Sequence, residues 1–354
     1  MNRFLIVVIF IFAAVGICNG WGFFAHKRIN RLAVFTLPPE MLPFYKYHIA
    51  FITEKAVNPD SRRYAVEGEA PRHYIDADKY GDSAIFKLPR FWKEAVEKYT
   101  EDSLMMHGIN PWFVNKIKYQ LTEAFKRADA NAILRLSADM GHYIADGNVP
   151  LHTTFNYNGQ FTGQYGIHGF WESRLPELFA EEYDYYIGPA EYERFPQIRA
   201  WKSIIAAHTA LDSVLYFEKE LTKRFPEDKK YSYEERNNIS VRVYSKPFSK
   251  AYHEALSGQV ERRMRASIKM VGDMWYTCWV DAGQPDLNKL IEFKFSEDEL
   301  KLMEEERKQW EQKLIDARPE SSIKGIDSDG HHAHSGCCCE YQYVTYKPLP
   351  HIEK

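Results

Sequence analysis

ANAILRLSADMGHYIADGNVPLH, residues 130–152, is the stretch on which the reading of this chain turns. Ile133, Leu134, Leu136, Met140 and Ile144 recur at helical spacing, which predicts a helix over 130–145. His142 and Asp146 lie four apart near its end, so both side chains leave one face and present two ligands to one ion. Gly147-Asn148-Val149-Pro150 stops the helix and turns the chain, which brings His152 back to the same region.

The same periodicity runs outward from this segment. Residues 22–36 carry apolar side chains at helical spacing until Pro38 and Pro39. Pro111 marks a helix start, and 112–127 continues it with Val114, Ile117 and Leu121 on one face. Helices are also expected over 196–225, over 242–281 (Ala251, Leu256, Val260, Met264, Ile268, Val271, Trp275) and over the charged stretch 296–317. Residues 225–238 read as a solvated loop. No long run alternates with period two, no βαβ rhythm appears and no repeat is visible, so the expected class is all-α, a single multi-helix domain.

With 354 residues, 45% hydrophobic and 27% charged, the chain has material for a sizeable core. Its net charge is −3, and removing residues 1–20 takes away one arginine and no acid. That balance excludes a general polyanion-coating protein. Arg3, the apolar run Phe4 to Val15 and the small residues around Gly16 and Gly20 read as a secretory signal. The run is shorter than the ~20 apolar residues of a membrane span. Export to the medium or periplasm follows, with cleavage after Gly20 leaving Trp21 first; lipid attachment at Cys18 is the competing reading, disfavoured by bulky Ile17. Of five cysteines, Cys18 leaves with the signal and Cys337, Cys338 and Cys339 lie in the tail, so Cys278 alone in the body builds no disulfide framework. The division is therefore 1–20 signal, 21–317 one helical domain, and 318–354 a flexible tail rich in His and Cys (His331, His332, His334). The tail reads first as an unselected end and second as a metal scavenger.

The histidines carry the chemistry. His168 and Glu172 repeat the four-residue spacing of His142 and Asp146, and His152 stands between the pairs. One such pair is ordinarily a helix-surface contact; two, with a histidine between, match imidazole and carboxylate ligation of zinc. His73 follows Pro71-Arg72 and precedes Asp76 and Asp78, and Asp60 sits in the turn Asn58-Pro59-Asp60, where an acid is usually a cap. Trp21 precedes His26 by five positions. A free terminal amine and its own carbonyl chelate a metal in a five-membered ring, and deprotonating that amine at pH 7 costs only ~1.4 kcal/mol.

The ordered set Trp…His…Asp…His…His-x3-Asp…His…His-x3-Glu resembles the zinc-dependent phospholipase C / S1-P1 nuclease superfamily of secreted, all-helical, three-zinc phosphodiesterases. The resemblance covers roughly residues 21–175 by motif. It implies one zinc held by Asp60, His73, His142 and Asp146, a second by His152, His168 and Glu172, and a third by the Trp21 amine and carbonyl, His26 and a bridging Asp146. It also implies in-line hydrolysis of a phosphodiester by a zinc-activated water, with Asp60 orienting or deprotonating that water and Arg63 contacting the substrate phosphate. For Arg63 a minor surface ion pair is the rival role.

The family's two branches divide inside these motifs. His168 and Glu172, and a short Thr153–Ile167 loop without Gly-Gly-Asn, are similar to the phospholipase side. The five-residue step from Trp21 to His26 is similar to the nuclease side. Tyr143, Phe155, Tyr157, Phe161, Tyr165, Phe170 and Trp171 would stack a base or line a lipid groove, though most are expected in the core. The expected activity is phospholipase C-like, on phospholipid with transient membrane-surface contact. The alternatives are hydrolysis of single-stranded nucleic acid and a non-catalytic zinc-binding surface protein. No obligate protein partner is expected, and no His-Glu-x-x-His helix points to a metalloprotease.

Overall fold

Helix ends follow the chain's own punctuation. The computed structural model describes residues 22–236 and 239–312; the expected signal, Trp21 and the tail lie outside them. Helix α1 is Phe23–Ala33, ended by a tight turn ahead of Pro38. Short helices α2 (Leu42–Tyr47), α3 (Ile49–Glu54) and α4 (Asn58–Arg62) follow, then α5 (Trp92–Tyr99) and α6 (Glu101–His107). Helix α7 (Asn110–Lys126) starts with Pro111 in its first turn, where a missing N–H costs nothing. Helix α8 (Ala130–Asp146) is capped by Asp129, whose carboxylate accepts from the Ala132 amide at 3.0 Å. Helices α9 (Ile167–Gly169) and α10 (Leu175–Phe179) are joined by a π-helical stretch, Phe170–Arg174. The long α11 (Pro196–Arg224) and the single turn α12 (Glu227–Lys230) come next. They are followed by α13 (Lys246–Ala255), α14 (Gln259–Asp281) and α15 (Glu297–Trp310), the last with a Ser296–Glu299 capping box.

The described residues are predominantly helical, as expected. Two expectations are corrected. Residues 231–236 are not loop: β1 (Tyr231–Arg236) pairs antiparallel with β2 (Ile239–Tyr244), Tyr231 opposite Tyr244. Val241 and Val243 turn inward in alternation, a period-two signal too short to register among the flanking charges. The helical pattern over 242–281 is also broken. Its first residues belong to β2, and the left-handed Ser257 and Gly258 (φ 50° and 73°) separate α13 from α14.

Helix α8 occupies the centre, packed against α1, α3, α7 and α14. Every residue from Met140 to Asp146 is buried, so its last two turns have no solvent face. Gly141 makes this closeness feasible: a Cβ there would meet Asn30 Oδ1 at 1.9 Å. Asn30 uses the space to donate to the Ala138 carbonyl at 3.0 Å, locking α1 onto α8. On the other side, Phe170 stacks on Tyr244 and Tyr252 (3.8 and 4.8 Å between ring centroids), and Trp171 Nε1 donates to Gln259 Oε1 at 3.0 Å. Each such buried aromatic contributes about 1.5–3 kcal/mol, so the stretch carrying Glu172 is pinned by its neighbours. Among the described residues no helix is long and apolar enough to cross a membrane.

Candidate metal centre

The local folding of six segments brings their polar residues to one buried point. On α1, His26 lies one turn before Asn30, and the tight approach at Gly141 stacks its ring on His142 at 3.9 Å, tilted 15°. On α8, His142 and Asp146 share a face, with Nε2 and Oδ2 3.1 Å apart. The helix stops where Asn148 Nδ2 donates to the Ile144 carbonyl at 2.9 Å, and the turn Pro150–Thr153 returns His152 to the centre. The helical run through α9 and the π stretch places His168 Nε2 3.0 Å from Glu172 Oε2, because residues four apart stay on one side in either winding. Asp60, in the first turn of α4, and His73, ending the turn Ala70–His73, close the ring.

Three groups of possible ligands result, each with its donor atoms within 4.8 Å of one another: His26, His142 and Asp146; Asp60, His73 and His142; and His152, His168 and Glu172. Asp146 links them. Its Oδ2 faces His73 Nδ1 at 2.8 Å and His142 Nε2 at 3.1 Å, while Oδ1 faces His26 Nε2 at 3.4 Å and His152 Nδ1 at 3.8 Å. All eight residues are no more than 3% exposed. Every described residue that the sequence singled out as a ligand thus converges here. Trp21, the remaining one, lies outside the described residues. His26 groups with His142 as well as with Asp146, and His142 is common to two of the three groups.

The donor set fits divalent transition-metal ions. Two ligand atoms on a tetrahedral ion with bonds of ~2.0–2.1 Å stand about 3.3 Å apart. The separations His26–Asp146 (3.4 Å), His73–His142 (3.1 Å), His152–Glu172 (3.4 Å) and His168–Glu172 (3.0 Å) all lie near that value. Both oxygens of Asp60, Oδ1 of Asp146, both nitrogens of His26 and Nε2 of His152 and His168 are buried without a hydrogen-bond partner. Buried polar atoms in such number cost several kcal/mol unless something else satisfies them. The backbone prepares three of the imidazoles for ligation. Nδ1–H of His142, His152 and His168 faces the carbonyls of Ala56 (2.8 Å), His73 (2.6 Å) and Tyr157 (3.1 Å), which leaves Nε2 as the lone-pair nitrogen turned inward.

Electrostatics in the metal-free protein follow from the crowding. Burial, helped by the neighbouring His142, lowers His26. Burial also acts to lower His142, but Asp146 and Asp60 outweigh it and push the imidazole up to about 9. Burial would raise Asp146; His142 and His152 overcome it and hold the carboxyl well below its usual range. The same contest, won by His168 and His152, holds Glu172 at about 2, and His152 is raised by Asp146 and Glu172 against its own burial.

Arg63 is placed at the edge of this cluster, Nη1 3.5 Å from Asp60 Oδ1 and Nη2 donating to the Tyr64 hydroxyl at 3.3 Å. Asp78, beside His73 in sequence, turns away and caps the next loop, accepting from Thr154 Oγ1 and the Phe155 amide, both at 2.9 Å. Of the aromatics singled out, Tyr143, Tyr157, Phe170 and Trp171 are buried, Phe155 is half-buried, and Phe161 and Tyr165 are exposed. Sequence reasoning missed Glu69. Its carboxylate is fully buried between Arg62 Nε (3.2 Å), Arg72 Nη1 (2.5 Å) and the Tyr143 hydroxyl, with His73 Nε2 3.8 Å away. Burial would raise Glu69, but His73 and the arginines hold it well below the carboxylate range. The signal was present: Glu69 stands four before His73, the spacing of the other two pairs. A scan against protein-family models gives no match to this chain, and neither does a search of curated proteins.

Proposed function

We propose that the protein is an exported zinc-dependent hydrolase of phosphodiesters, of the phospholipase C / P1 nuclease type, acting on phospholipid. The observation that carries this reading is the two-sided use of Asp146, one oxygen toward His73 and His142 and the other toward His26 and His152. A carboxylate so placed suits adjacent dications. In this reading His26, Asp60, His73, His142, Asp146, His152, His168 and Glu172 hold zinc, with Trp21 completing the set. Bound zinc supplies Lewis acidity toward a phosphoryl oxygen and lowers the pKa of water toward 7.

The side chains have separate tasks. Asp60, with neither oxygen hydrogen-bonded, is the acceptor for a proton leaving the attacking water at Oδ2. Arg63, beside it, orients the substrate phosphate by a charge-assisted hydrogen bond. Asp146 fixes the separation of the groups around it. Glu172 and the short loop Thr153–Ile167 favour phospholipid over nucleic acid. Single-stranded nucleic acid is the second reading, favoured by the spacing of His26 from Trp21.

The deciding experiment measures zinc per chain and turnover of phosphatidylcholine, single-stranded DNA, RNA and bis-p-nitrophenyl phosphate on one preparation, with and without EDTA. Chelator-sensitive release of phosphocholine supports the first reading, and nucleotide release the second. Bound zinc with no turnover on the whole panel would turn the assignment to a non-catalytic zinc protein.

A further inference from the structure

Among the clustered imidazoles, three are oriented in one way and His73 in another. Backbone carbonyls hold His142, His152 and His168, each leaving Nε2 inward. His73 is reversed. It turns Nδ1 inward, 2.8 Å from Asp146 Oδ2, 3.1 Å from His142 Nε2 and 4.0 Å from Asp60 Oδ1. Its outward Nε2 has no hydrogen-bond partner, and the group facing it is Glu69 Oε1 at 3.8 Å.

Glu69 is itself built in. Arg62 Nε and Arg72 Nη1 approach one of its oxygens, Oε2, at 3.2 and 2.5 Å, and the Tyr143 hydroxyl donates to the other. Arg62 is fixed in turn by Asp139, Nη2 to Oδ2 at 2.8 Å and Nη1 to Oδ1 at 3.3 Å, and its Nη2 donates to the Tyr143 hydroxyl at 2.9 Å. The guanidinium groups converge on Oε2, and Oε1, which accepts from the Tyr143 hydroxyl, has capacity for a second donor on the side of His73. An isolated buried carboxylate is costly, and the two cations and the phenol hold this one in a fixed orientation beside His73.

We infer that Glu69 is a positioning residue for the metal centre: it keeps the His73 proton on Nε2, so that the Nδ1 lone pair faces Asp60, His142 and Asp146. This inference rests on the metal reading proposed above and adds the group that orients its one reversed ligand. Loss of an outer partner of a ligating histidine typically weakens ion binding about 10–100-fold.

The test compares wild type, Glu69→Gln and Tyr143→Phe, the last removing a support of Glu69 but not the carboxylate. Zinc is withdrawn stepwise by a competing chelator, and histidine ring nitrogens of the zinc-loaded proteins are read by 15N NMR. Expected are one ion released about ten- to a hundredfold more readily in Glu69→Gln, the remaining ions released as in wild type, and Tyr143→Phe close to wild type. In wild type the His73 proton is expected on Nε2. A proton on Nδ1, or equal weakening of every ion in Glu69→Gln, would overturn the inference, and a wild-type proton on Nδ1 overturns it even if Glu69→Gln fails to fold. Zinc release that depends on Glu69 in a protein without phosphodiester turnover would sink only the functional reading. A wild-type protein that takes up no zinc sinks both.

Discussion

Asp146 and Arg63 make different demands on the same cluster. Replacing Asp146 by Asn keeps the volume but removes the charge that faces four imidazoles. Because even an outer partner of a ligand is worth about 10–100-fold in metal affinity or activity, Asp146→Asn is expected to lose at least one ion and on the order of a hundredfold or more in turnover. Metal analysis beside a diester assay checks this, and full ion content with full activity would reject the hub role. Arg63→Met is expected to leave ion content unchanged and lower kcat/KM about ten- to a hundredfold, the value of a hydrogen bond to a charged group. If zinc is lost too, Arg63 serves the metal and not the phosphate. At this scale the sequence was readable where a pair sat on one helix, as with His142 and Asp146 or His168 and Glu172. It was poorly readable where the partner was a main-chain carbonyl, because Ala56 and Tyr157 carry no mark of what their oxygens do.

Helix α8 joins local propensity to site geometry. Its Asp129 cap lies at the far end from the ligands, so Asp129→Ala should cost about 1 kcal/mol of stability with ion content unaltered. Denaturant titration and metal analysis would test both halves of that statement. Gly141→Ala should do the reverse in emphasis. Its new Cβ must displace Asn30, an overpacking cost of about 1–3 kcal/mol, and must loosen the His26–His142 stack. Weaker binding of the ion served by His26, with less effect on the one near His168, is the expected signature in a chelator titration. Helix existence was legible here because long apolar periods dominate 110–126 and 130–146. The β1–β2 hairpin was not, since its strands are six residues each and half of β1 is charged. Part of its charge is structural: Glu234 binds Arg174, Oε2 to Nη1 at 2.9 Å, tying the hairpin to the stretch that carries Glu172.

For the whole molecule, ions held only by the folded state stabilise it by mass action, about 2.7 kcal/mol per site at a hundredfold excess over Kd. Chelation should therefore lower Tm by about 5 °C or more for a chain of this size. Acidity sets how large that gap is. In the metal-free protein His142 is raised from 6.5 to about 9, so its contribution is complete below pH 6.5 and is lost as pH rises through 9. Glu172 is depressed from 4.5 to about 2, so its contribution holds above pH 4.5 and is lost as pH falls through 2. In the proposed reading zinc competes with the proton on His142, so the Tm difference between loaded and chelated protein is expected to widen from pH 6 to pH 9. Calorimetry at those two values measures it, and a gap that narrows would argue against imidazole ligation.

Three histidines take their tautomer from peptide oxygens of Ala56, His73 and Tyr157. Substitution of the residues at 56 and 157 leaves those oxygens in place, so drift at these two positions is tolerated by the chemistry. An inserted or deleted residue shifts the oxygen itself and is not. Over evolutionary time such a centre should therefore be guarded by the lengths of its loops more than by the identities of the residues lining them.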